Sequence, residues 1–222
     1  MNNLIASATA AGVAEISTVP FCLIKTNYQN SNNDLLTTIK NIYKVNGLKS
    51  FYKSSTPAIA SQMLSTSSKY TVYSYLGNKD DTYLSKIKNG IIAGSISSVM
   101  THPVDVVKIH YQMSNMKLLS EFSFSLLYRG YSKTFAKATI GSSMFLPIYD
   151  CVNKQLDNSF LASGISAVIS TTLLHPIDYA KTRQVYGLGF NYALRGLNVN
   201  LLRVVPHFII MMSTIEYIKS II

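Results

Sequence analysis

The segments PFCLIKTNYQ, HPVDVVKIHYQ and HPIDYAKTRQ occupy residues 20–29, 102–112 and 175–184 of the 222-residue chain. Each contains a proline with a lysine five residues later, and the second and third also carry an aspartate two residues after the proline. The chain has only six prolines, and 20 of its residues are Lys or Arg, so three chance matches to this pattern would be rare. A motif that recurs at similar intervals indicates tandem copies of one structural unit.

Two further elements recur in register with these segments. Upstream of each proline there are two small residues four positions apart: Ser7 and Ala11, Gly90 and Gly94, Ser163 and Ala167. Small residues at this spacing let membrane helices approach closely. Downstream of each proline there is a short element with a basic residue: Tyr52-Lys53-Ser54, Tyr128-Arg129-Gly130 and Leu194-Arg195-Gly196. We therefore predict three repeats, at 1–78, 79–154 and 155–222.

The composition predicts a membrane protein whose helices carry polar residues on one side. Hydrophobic residues make up 48% of the chain, charged residues only 14%, and the mean hydropathy is +0.19. Six segments have the length needed to cross a hydrocarbon core of about 30 Å: 4–24, 56–76, 89–109, 133–153, 160–180 and 198–219. We expect an all-α membrane protein with six transmembrane helices, arranged with pseudo-threefold symmetry around a central cavity.

Charged residues inside the predicted spans indicate where that cavity lies. Glu15, Lys69, Lys137 and Arg203 fall within spans, and a charge facing lipid costs several kcal/mol. Such residues should therefore line a water-filled interior, although Lys69 could instead extend from a helix end towards the membrane surface. The connectors after the first, third and fifth spans carry most of the basic residues, which places both termini on the opposite, less basic side.

The charge and cysteine content exclude several other classes of protein. A formal net charge of +10 favours an anionic partner, but the low charged fraction argues against a nucleic-acid-binding domain. Cys22 and Cys151 form no disulfide framework and no metal-ligand pattern. With no nucleophile–base pair and no ligand cluster in the sequence, we predict no catalysis, metal or cofactor. His102 and His175 are interpreted as helix-packing residues. His207 is interpreted as an interior-facing polar residue, with a proton relay as the alternative.

The three segments resemble the signature of the mitochondrial carrier family, Pro-x-Asp/Glu-x-x-Lys/Arg at the end of each odd-numbered helix. The resemblance covers essentially the whole chain, which looks like a shortened and partly degenerate member. It implies a monomeric solute carrier of the mitochondrial inner membrane that works by alternating access and exchange, with both termini towards the intermembrane space. It also implies that the signature prolines kink their helices: Pro20, Pro103 and Pro176.

The resemblance implies two gates built from charged side chains. On the matrix side, Asp105 should pair with Lys181 and Asp178 with Lys25, whereas Lys108 would meet Cys22 where the family has an acid. Two pairs of three are therefore expected, with Gln29 and Gln112 at the positions of the family's bracing glutamines. The cytoplasmic gate keeps only part of its pattern, in Asp150, Glu216 and Lys219.

The resemblance also implies lipid and solute contacts. The basic elements resemble cardiolipin-binding corners, with a turn and an interfacial positive charge as the simpler alternative: Lys53, Arg129, Gly130, Arg195 and Gly196. The family's solute positions correspond to Ser61, Lys137 and Arg203 on the even-numbered helices and to Glu15, Ser98 and Thr171 on the odd ones, with Gln62 nearby. Glu15 could instead be a buried partner of Lys137 or Arg203.

The predicted solute is a small anion. Two cations in a confined site favour negative charge, and arginine suits bidentate binding of phosphate or carboxylate. We therefore expect a nucleotide or another phosphorylated solute, whose base could contact Tyr70 or Tyr131. One alternative is a carboxylate or an amino acid, which Glu15 would permit. Another is a carrier-derived receptor or scaffold that no longer transports, which the incomplete gates would suit.

Overall fold

The computed structural model describes residues 2–76, 83–113, 124–156, 158–189 and 194–221. Its six long helices are α1 (Asn2–Asn30), α3 (Ser55–Leu76), α4 (Tyr83–Gln112), α6 (Tyr131–Leu156), α7 (Ser159–Tyr186) and α8 (Leu197–Ile221). Two shorter helices, α2 (Leu35–Asn46) and α5 (Phe124–Leu127), and a 3₁₀ helix at Gly47–Tyr52 lie in the connectors. The described residues contain no strand, so the predicted all-α class is confirmed for them.

The six long helices form a closed ring. Each packs against the helix before it and the helix after it, and α8 returns to pack against α1. Two stretches, Ala8–Asn30 in α1 and Ile87–Gln112 in α4, are long and apolar enough to cross a membrane, and α8 contains a shorter apolar stretch at Leu197–Met211. Because the ring is closed, it encloses a space that side chains from several helices can line.

The signature prolines lie inside helices and do not end them. Pro20, Pro103 and Pro176 are interior residues of α1, α4 and α7, and each helix continues for at least nine residues past its proline. The predicted spans ended only four to six residues past the prolines, so these helices are longer than the sequence pattern indicated. An interior proline removes one backbone hydrogen bond and favours a bend there. The predicted kinks stay a prediction.

Small residues set the distance between α4 and α6. A methyl group added at Gly90 would lie 2.5 Å from the carbonyl oxygen of Ser142, and one added at Gly94 would lie 2.5 Å from that of Ala138. Any larger side chain would push the two helices apart, as the small-residue pattern predicted. In the other two repeats Ala11 and Ala167 are buried, whereas the side chains of Ser7 and Ser163 lie outside those described.

The outer surface of the ring is apolar and much of its interior is polar. Large aliphatic side chains recur every three or four residues on the exposed faces of three helices: Ile92, Ile96 and Val99 in α4, Leu161, Ile165, Ile169 and Leu173 in α7, and Leu202, Val205 and Ile209 in α8. Buried positions include many charged and hydroxyl side chains. This distribution is the reverse of that in a water-soluble domain. It is the distribution expected for helices surrounded by lipid.

Candidate solute cavity and its ion pairs

A cavity of about 610 Å³ lies inside the ring. At one end it is lined by the signature lysines Lys25, Lys108 and Lys181, and from there it extends along the helices to the level of Lys69 and Met211. Hydroxyl and amide side chains from α3, α4 and α6 line its walls, among them Gln62, Ser65, Thr66, Ser97, Thr101 and Ser142. The volume is within the range typical of small-molecule sites.

Two ion pairs that the signature predicts are present at the end of the cavity that the signature lysines line, which is called the inner end below. Lys25 of α1 binds Asp178 of α7, and Lys181 of α7 binds Asp105 of α4. The side chains of Lys25, Asp178 and Lys181 are all at least 90% buried. Each aspartate thus joins its own helix to another of the three signature helices, so the two pairs hold the inner ends of α1, α4 and α7 together.

A third ion pair is present where the sequence predicted none. Lys108 of α4 donates to Glu15 of α1, with 2.7 Å between Nζ and Oε1. Glu15 is seven residues, about two helical turns, before Cys22, the position at which an acid was missing. The expectation of two pairs is therefore wrong. The long lysine side chain reaches past Cys22 to an acid further along α1, and α1, α4 and α7 are each joined to the other two.

Each carboxylate also binds a residue of the long helix that precedes its own in the ring. Asp105 accepts a hydrogen bond from Ser61 of α3, and Asp178 accepts one from Lys137 of α6. Glu15 Oε2 lies 2.8 Å from Arg203 Nη2 of α8. Ser61, Lys137 and Arg203 are the three even-helix positions predicted to bind solute. The structure therefore places all three at the inner end of the cavity and shows that they share their carboxylates with the signature lysines.

Proteins of one known family resemble this chain over most of its length. The family model described as mitochondrial carrier protein matches residues 1–79 and again 79–160. A mitochondrial carrier-like protein of Acanthamoeba polyphaga mimivirus is 48% identical over 96% of this chain and 94% of its own length. This chain belongs to the mitochondrial carrier family.

More distant carriers match most of the chain at lower identity. The kidney mitochondrial carrier protein 1 of Xenopus laevis is 25% identical over 79% of this chain and 74% of its own length. The mitochondrial thiamine pyrophosphate carrier 1 of Kluyveromyces lactis is 23% identical over 82% of this chain and 68% of its own length. Family members are transporters and not enzymes, so transmembrane solute transport is the activity of the family to which this carrier belongs. The family also indicates a multi-pass protein of the mitochondrial inner membrane.

Glu15 does not line the cavity as predicted for a solute contact. Its side chain has no exposed surface, because Lys108 and Arg203 cover both carboxylate oxygens. Of the two roles that the sequence left open, the structure shows the buried partner, and that partner is Arg203 and not Lys137. Ser98 is also buried, where it lies 3.3 Å from the hydroxyl oxygen of Tyr131.

The two glutamines at the bracing positions do not contact the ion pairs. Gln112 accepts a hydrogen bond from Thr26 at 2.6 Å, and its Nε2 lies 3.2 Å from Cys22 Sγ. Gln29 is fully buried, with Nε2 at 3.5 Å from the Arg195 carbonyl oxygen and its aliphatic part against Gly196. A methyl group at Gly196 would lie 3.0 Å from Gln29 Cγ, and Gly196 has a φ of 84°. Gln29 thus fixes the turn before α8, and a bracing role for either glutamine has no support in these contacts.

The basic residues of the connectors have protein partners of their own. Arg195 donates to the backbone oxygens of Tyr28 and Asn33, and its guanidinium lies 4.3 Å from the Tyr28 ring centre. Arg129 packs against Gly187, since a methyl group there would lie 2.8 Å from its Nη2. Gly130 has a φ of 78° and allows the turn into α6. Arg195 therefore ties the third connector to the first, and lipid binding by Lys53, Arg129, Gly130, Arg195 and Gly196 stays a prediction.

The sequence also predicted the roles of the two histidines before the signature prolines and of a cytoplasmic gate. His102 Nδ1 lies 2.8 Å from Thr134 Oγ1, and His175 Nε2 donates to the Arg195 carbonyl oxygen at 3.2 Å. Both histidines are fully buried between helices, as expected of packing residues. The cytoplasmic gate stays a prediction, because the side chains of Asp150, Glu216 and Lys219 lie outside those described.

The cavity contains one cation that stands apart from the ion pairs. Lys69 of α3 lines the cavity, and no carboxylate pairs with it in the part of the chain that the structure describes. The sequence left its role open, since a lysine near a helix end often extends to the membrane surface. Because Lys69 and Gln62 are seven residues apart, they share one helix face, and this spacing is the signal that could have placed Lys69 in the cavity.

We predict that Cys22→Asp makes the carrier more heat-stable and slows exchange. Cys22 is buried at the inner end of the cavity, close to Lys108. An added carboxylate there would balance excess positive charge and strengthen the closed state. A gain of about 1 kcal/mol would raise Tm by roughly 2–4 °C for a chain of this size. The test is thermal unfolding of purified protein together with exchange in liposomes. Cys22→Ser is the matched control, and an unchanged Tm and rate in Cys22→Asp would contradict the placement of Cys22.

Proposed function

We propose that this carrier transports a small, multiply charged anion by alternating access, and that the solute is a nucleotide or another phosphorylated compound. The observation that carries this proposal is the charge of the cavity. Within the described residues, six cations lie on or near its wall against three carboxylates: Lys25, Lys69, Lys108, Lys137, Lys181 and Arg203 against Glu15, Asp105 and Asp178. The formal excess of three positive charges favours a solute with several negative charges.

The ion pairs give the solute a way to open the inner end. Lys137 and Arg203 are held by Asp178 and Glu15. A phosphate group that binds these two cations competes directly with the two carboxylates. Each carboxylate then keeps only its signature lysine, which weakens the closed state. Because pairing and desolvation nearly cancel for partly buried ion pairs, a modest loss of contacts is enough to shift the equilibrium between closed and open states.

The rest of the cavity fits a nucleotide. Hydroxyl and amide groups such as Ser65, Thr66 and Gln62 can bind ribose or a base edge, and Phe208 offers an aromatic face. The predicted contact of a base with Tyr131 has no support, because Tyr131 is not among the lining residues. Tyr70 has a side chain outside those described. A relative that matches most of the chain is named for thiamine pyrophosphate, which also combines an aromatic ring system with a diphosphate.

The same proposal includes the arrangement in the membrane. The apolar outer faces of α4, α7 and α8 support six spans in three repeats, at 1–78, 79–154 and 155–222, with pseudo-threefold symmetry. The cyclic pattern of three carboxylates, each joined to a signature lysine and to an even-numbered span, supports that symmetry. Both termini then face the intermembrane space, the ion pairs close the matrix side, and cardiolipin binds at the connectors of a monomeric carrier.

Two alternatives each lose part of the support that motivated them. Glu15 was the acid that permitted an amino acid as solute, but its carboxylate is buried and occupied by Lys108 and Arg203. A receptor or scaffold without transport was suggested by the incomplete gates and the short connectors, and Glu15 supplies the inner ion pair that was missing. We therefore favour a transporter of phosphorylated anions.

A thermal unfolding screen of the purified carrier tests this solute class. A ligand that binds only the folded state raises the apparent Tm by mass action. We expect ATP, ADP or another nucleotide to raise Tm in a saturable manner, and amino acids or keto acids to leave it unchanged. Stabilisation by an amino acid or a keto acid alone would overturn the proposal.

Lys69 provides a more specific prediction for the solute site. Replacing it by methionine removes one charge from the cavity without touching any of the ion pairs, so the affinity for ATP should fall by about tenfold, or roughly 1.4 kcal/mol. The matched control is Lys133→Met, which removes an exposed charge of α6 that is not among the lining residues. Equal ATP affinities for the two variants in the same thermal unfolding assay would show that Lys69 does not face the solute.

A further inference from the structure

Glu15 has contacts on two sides, and only one of them belongs to the inner ion pairs. On one side its carboxylate binds Lys108 and Arg203, at 2.7 and 2.8 Å. On another side His207 Nδ1, also from α8, lies 3.7 Å from Glu15 Oε2. The Glu15 side chain has no exposed surface, whereas that of His207 is 11% exposed. The imidazole therefore lies between a fully buried carboxylate and a less buried region.

Hydrogen bonds fix the orientation of His207. The Thr18 hydroxyl donates to the Ala14 carbonyl oxygen at 2.8 Å, so its oxygen accepts from His207 Nδ1–H at 3.1 Å. The Gln62 amide donates to Nε2 at 3.5 Å. Gln62 lines the main cavity, and both Gln62 and His207 line an adjoining one of about 340 Å³. Nε2 thus faces the cavity side, and Nδ1, whose hydrogen is donated to Thr18, lies 3.7 Å from Glu15 Oε2.

Transport must remove both of the cations that hold Glu15. A solute anion that binds Arg203 takes the first. Opening of the inner end separates α1 from α4 and takes the second, Lys108. A buried carboxylate without a counter-ion is strongly disfavoured and is neutralised instead by taking up a proton. His207 is the neighbour that can deliver it.

We propose that each solute anion crosses together with one proton, which is held on Glu15 and delivered through His207. This inference rests on the proposed function, because it needs the solute to bind Arg203. A hydronium ion from the bulk solution gives its proton to Nε2 and becomes water, and Nδ1–H turns from Thr18 to Glu15 and passes its proton to Oε2. The imidazole ends neutral with its hydrogen on Nε2, and the carboxyl group is protonated. When the solute leaves and Arg203 returns, Glu15 releases the proton by the reverse path.

Several other charged or titratable groups lie near Glu15, and the experiment has to distinguish their titration from that of Glu15. Among the described residues, α4 contributes Lys108 and α8 contributes Arg203 and His207. Its own helix contributes Cys22 and Lys25, and α7 contributes Asp178, which is held by Lys25 and Lys137. From α3 the nearest side chains are Ser61 and Gln62, and neither titrates near neutral pH. Cys22 is the neighbour whose titration could be confused with that of Glu15.

The test is the rate of exchange of radiolabelled ATP between liposomes and medium, with equal pH on both sides, from pH 7.5 to 9. The ATP phosphates are fully ionised in this range, so a change in rate belongs to the protein. If every crossing needs a proton on Glu15, the wild-type rate should fall about tenfold per pH unit at the alkaline end. Glu15→Gln mimics the protonated carboxyl group, so its exchange should persist and become independent of pH, although its Tm should fall.

Two more variants make the result decisive. Cys22→Ser should keep the wild-type slope, and loss of the slope in this variant would assign the titration to the thiol and overturn the proposal. His207→Gln should leave ATP affinity unchanged and slow exchange at least tenfold, and it serves as the test if Glu15→Gln does not fold. ATP exchange by the wild type that does not depend on pH would overturn the proton step and leave the proposed function intact. Absence of uptake for ATP and for every other phosphorylated solute would remove both.

Discussion

Asp178→Lys should produce a carrier that unfolds far below the wild-type temperature and transports nothing. Asp178 binds Lys25 and Lys137 at once, and its side chain is 7% exposed. The substitution would leave three lysines together in a buried site. Removing one partner of a buried ion pair already costs about 3–5 kcal/mol, and reversing the charge adds repulsion between like charges. Thermal unfolding of detergent-purified protein and uptake into liposomes are the measurements.

Two matched variants separate the charge of Asp178 from its position. Asp178→Asn removes the carboxylate without adding a third cation, so its loss of stability should be smaller. Asp34→Lys makes the same charge reversal at an exposed residue before α2 and should leave Tm and uptake close to wild type. If Asp178→Lys and Asp34→Lys behaved alike, the inner ion pairs would not hold the helices together as the structure indicates.

Lys137→Ala and Arg203→Ala should each abolish uptake of ATP while the protein remains folded. Both side chains line the inner part of the cavity and are the cations that a phosphate group would take from Asp178 and Glu15. Each variant loses one cavity charge and the charged hydrogen bonds that this side chain would make with the solute. Its affinity for ATP should therefore fall by at least a hundredfold. The Tm of Arg203→Ala should also fall, because Glu15 would keep only Lys108.

The control for these variants lies on the same helix as Lys137. Lys133 is exposed and is one helical turn before Lys137 on α6, so Lys133→Ala removes an equal charge outside the cavity lining. It should transport as the wild type does. Uptake at the wild-type rate by a folded Lys137→Ala or Arg203→Ala protein would exclude that residue from the solute site.

The three signature segments predicted the helical repeats, because a motif that recurs in register with two other elements marks copies of one structural unit. The contacts of Asp105 with Lys181 and of Asp178 with Lys25 were predicted from the resemblance to the mitochondrial carrier signature, and the structure has both. The glycines at 90 and 94 predicted close packing, since steric contact depends only on local side-chain size.

The partner of Lys108 could not be predicted in this way. The acid was expected at position 22, in register with Asp105 and Asp178, but that position is Cys22. A lysine side chain is long enough to reach an acid two turns away when the helices between them are close, and that distance is a property of the packed ring. The sharing of each carboxylate with Ser61, Lys137 or Arg203 was missed for the same reason, because it depends on the rotation of α3, α6 and α8 about their axes.

Uptake of radiolabelled ATP by liposomes that contain only this purified protein tests most directly whether the cavity carries a phosphorylated anion. We predict saturable uptake that is accelerated by unlabelled ATP inside the liposomes, inhibited by other nucleotides and absent with Arg203→Ala. Saturable uptake of an amino acid or a carboxylate by the folded protein, with no uptake of ATP or of any other phosphorylated solute, would contradict it.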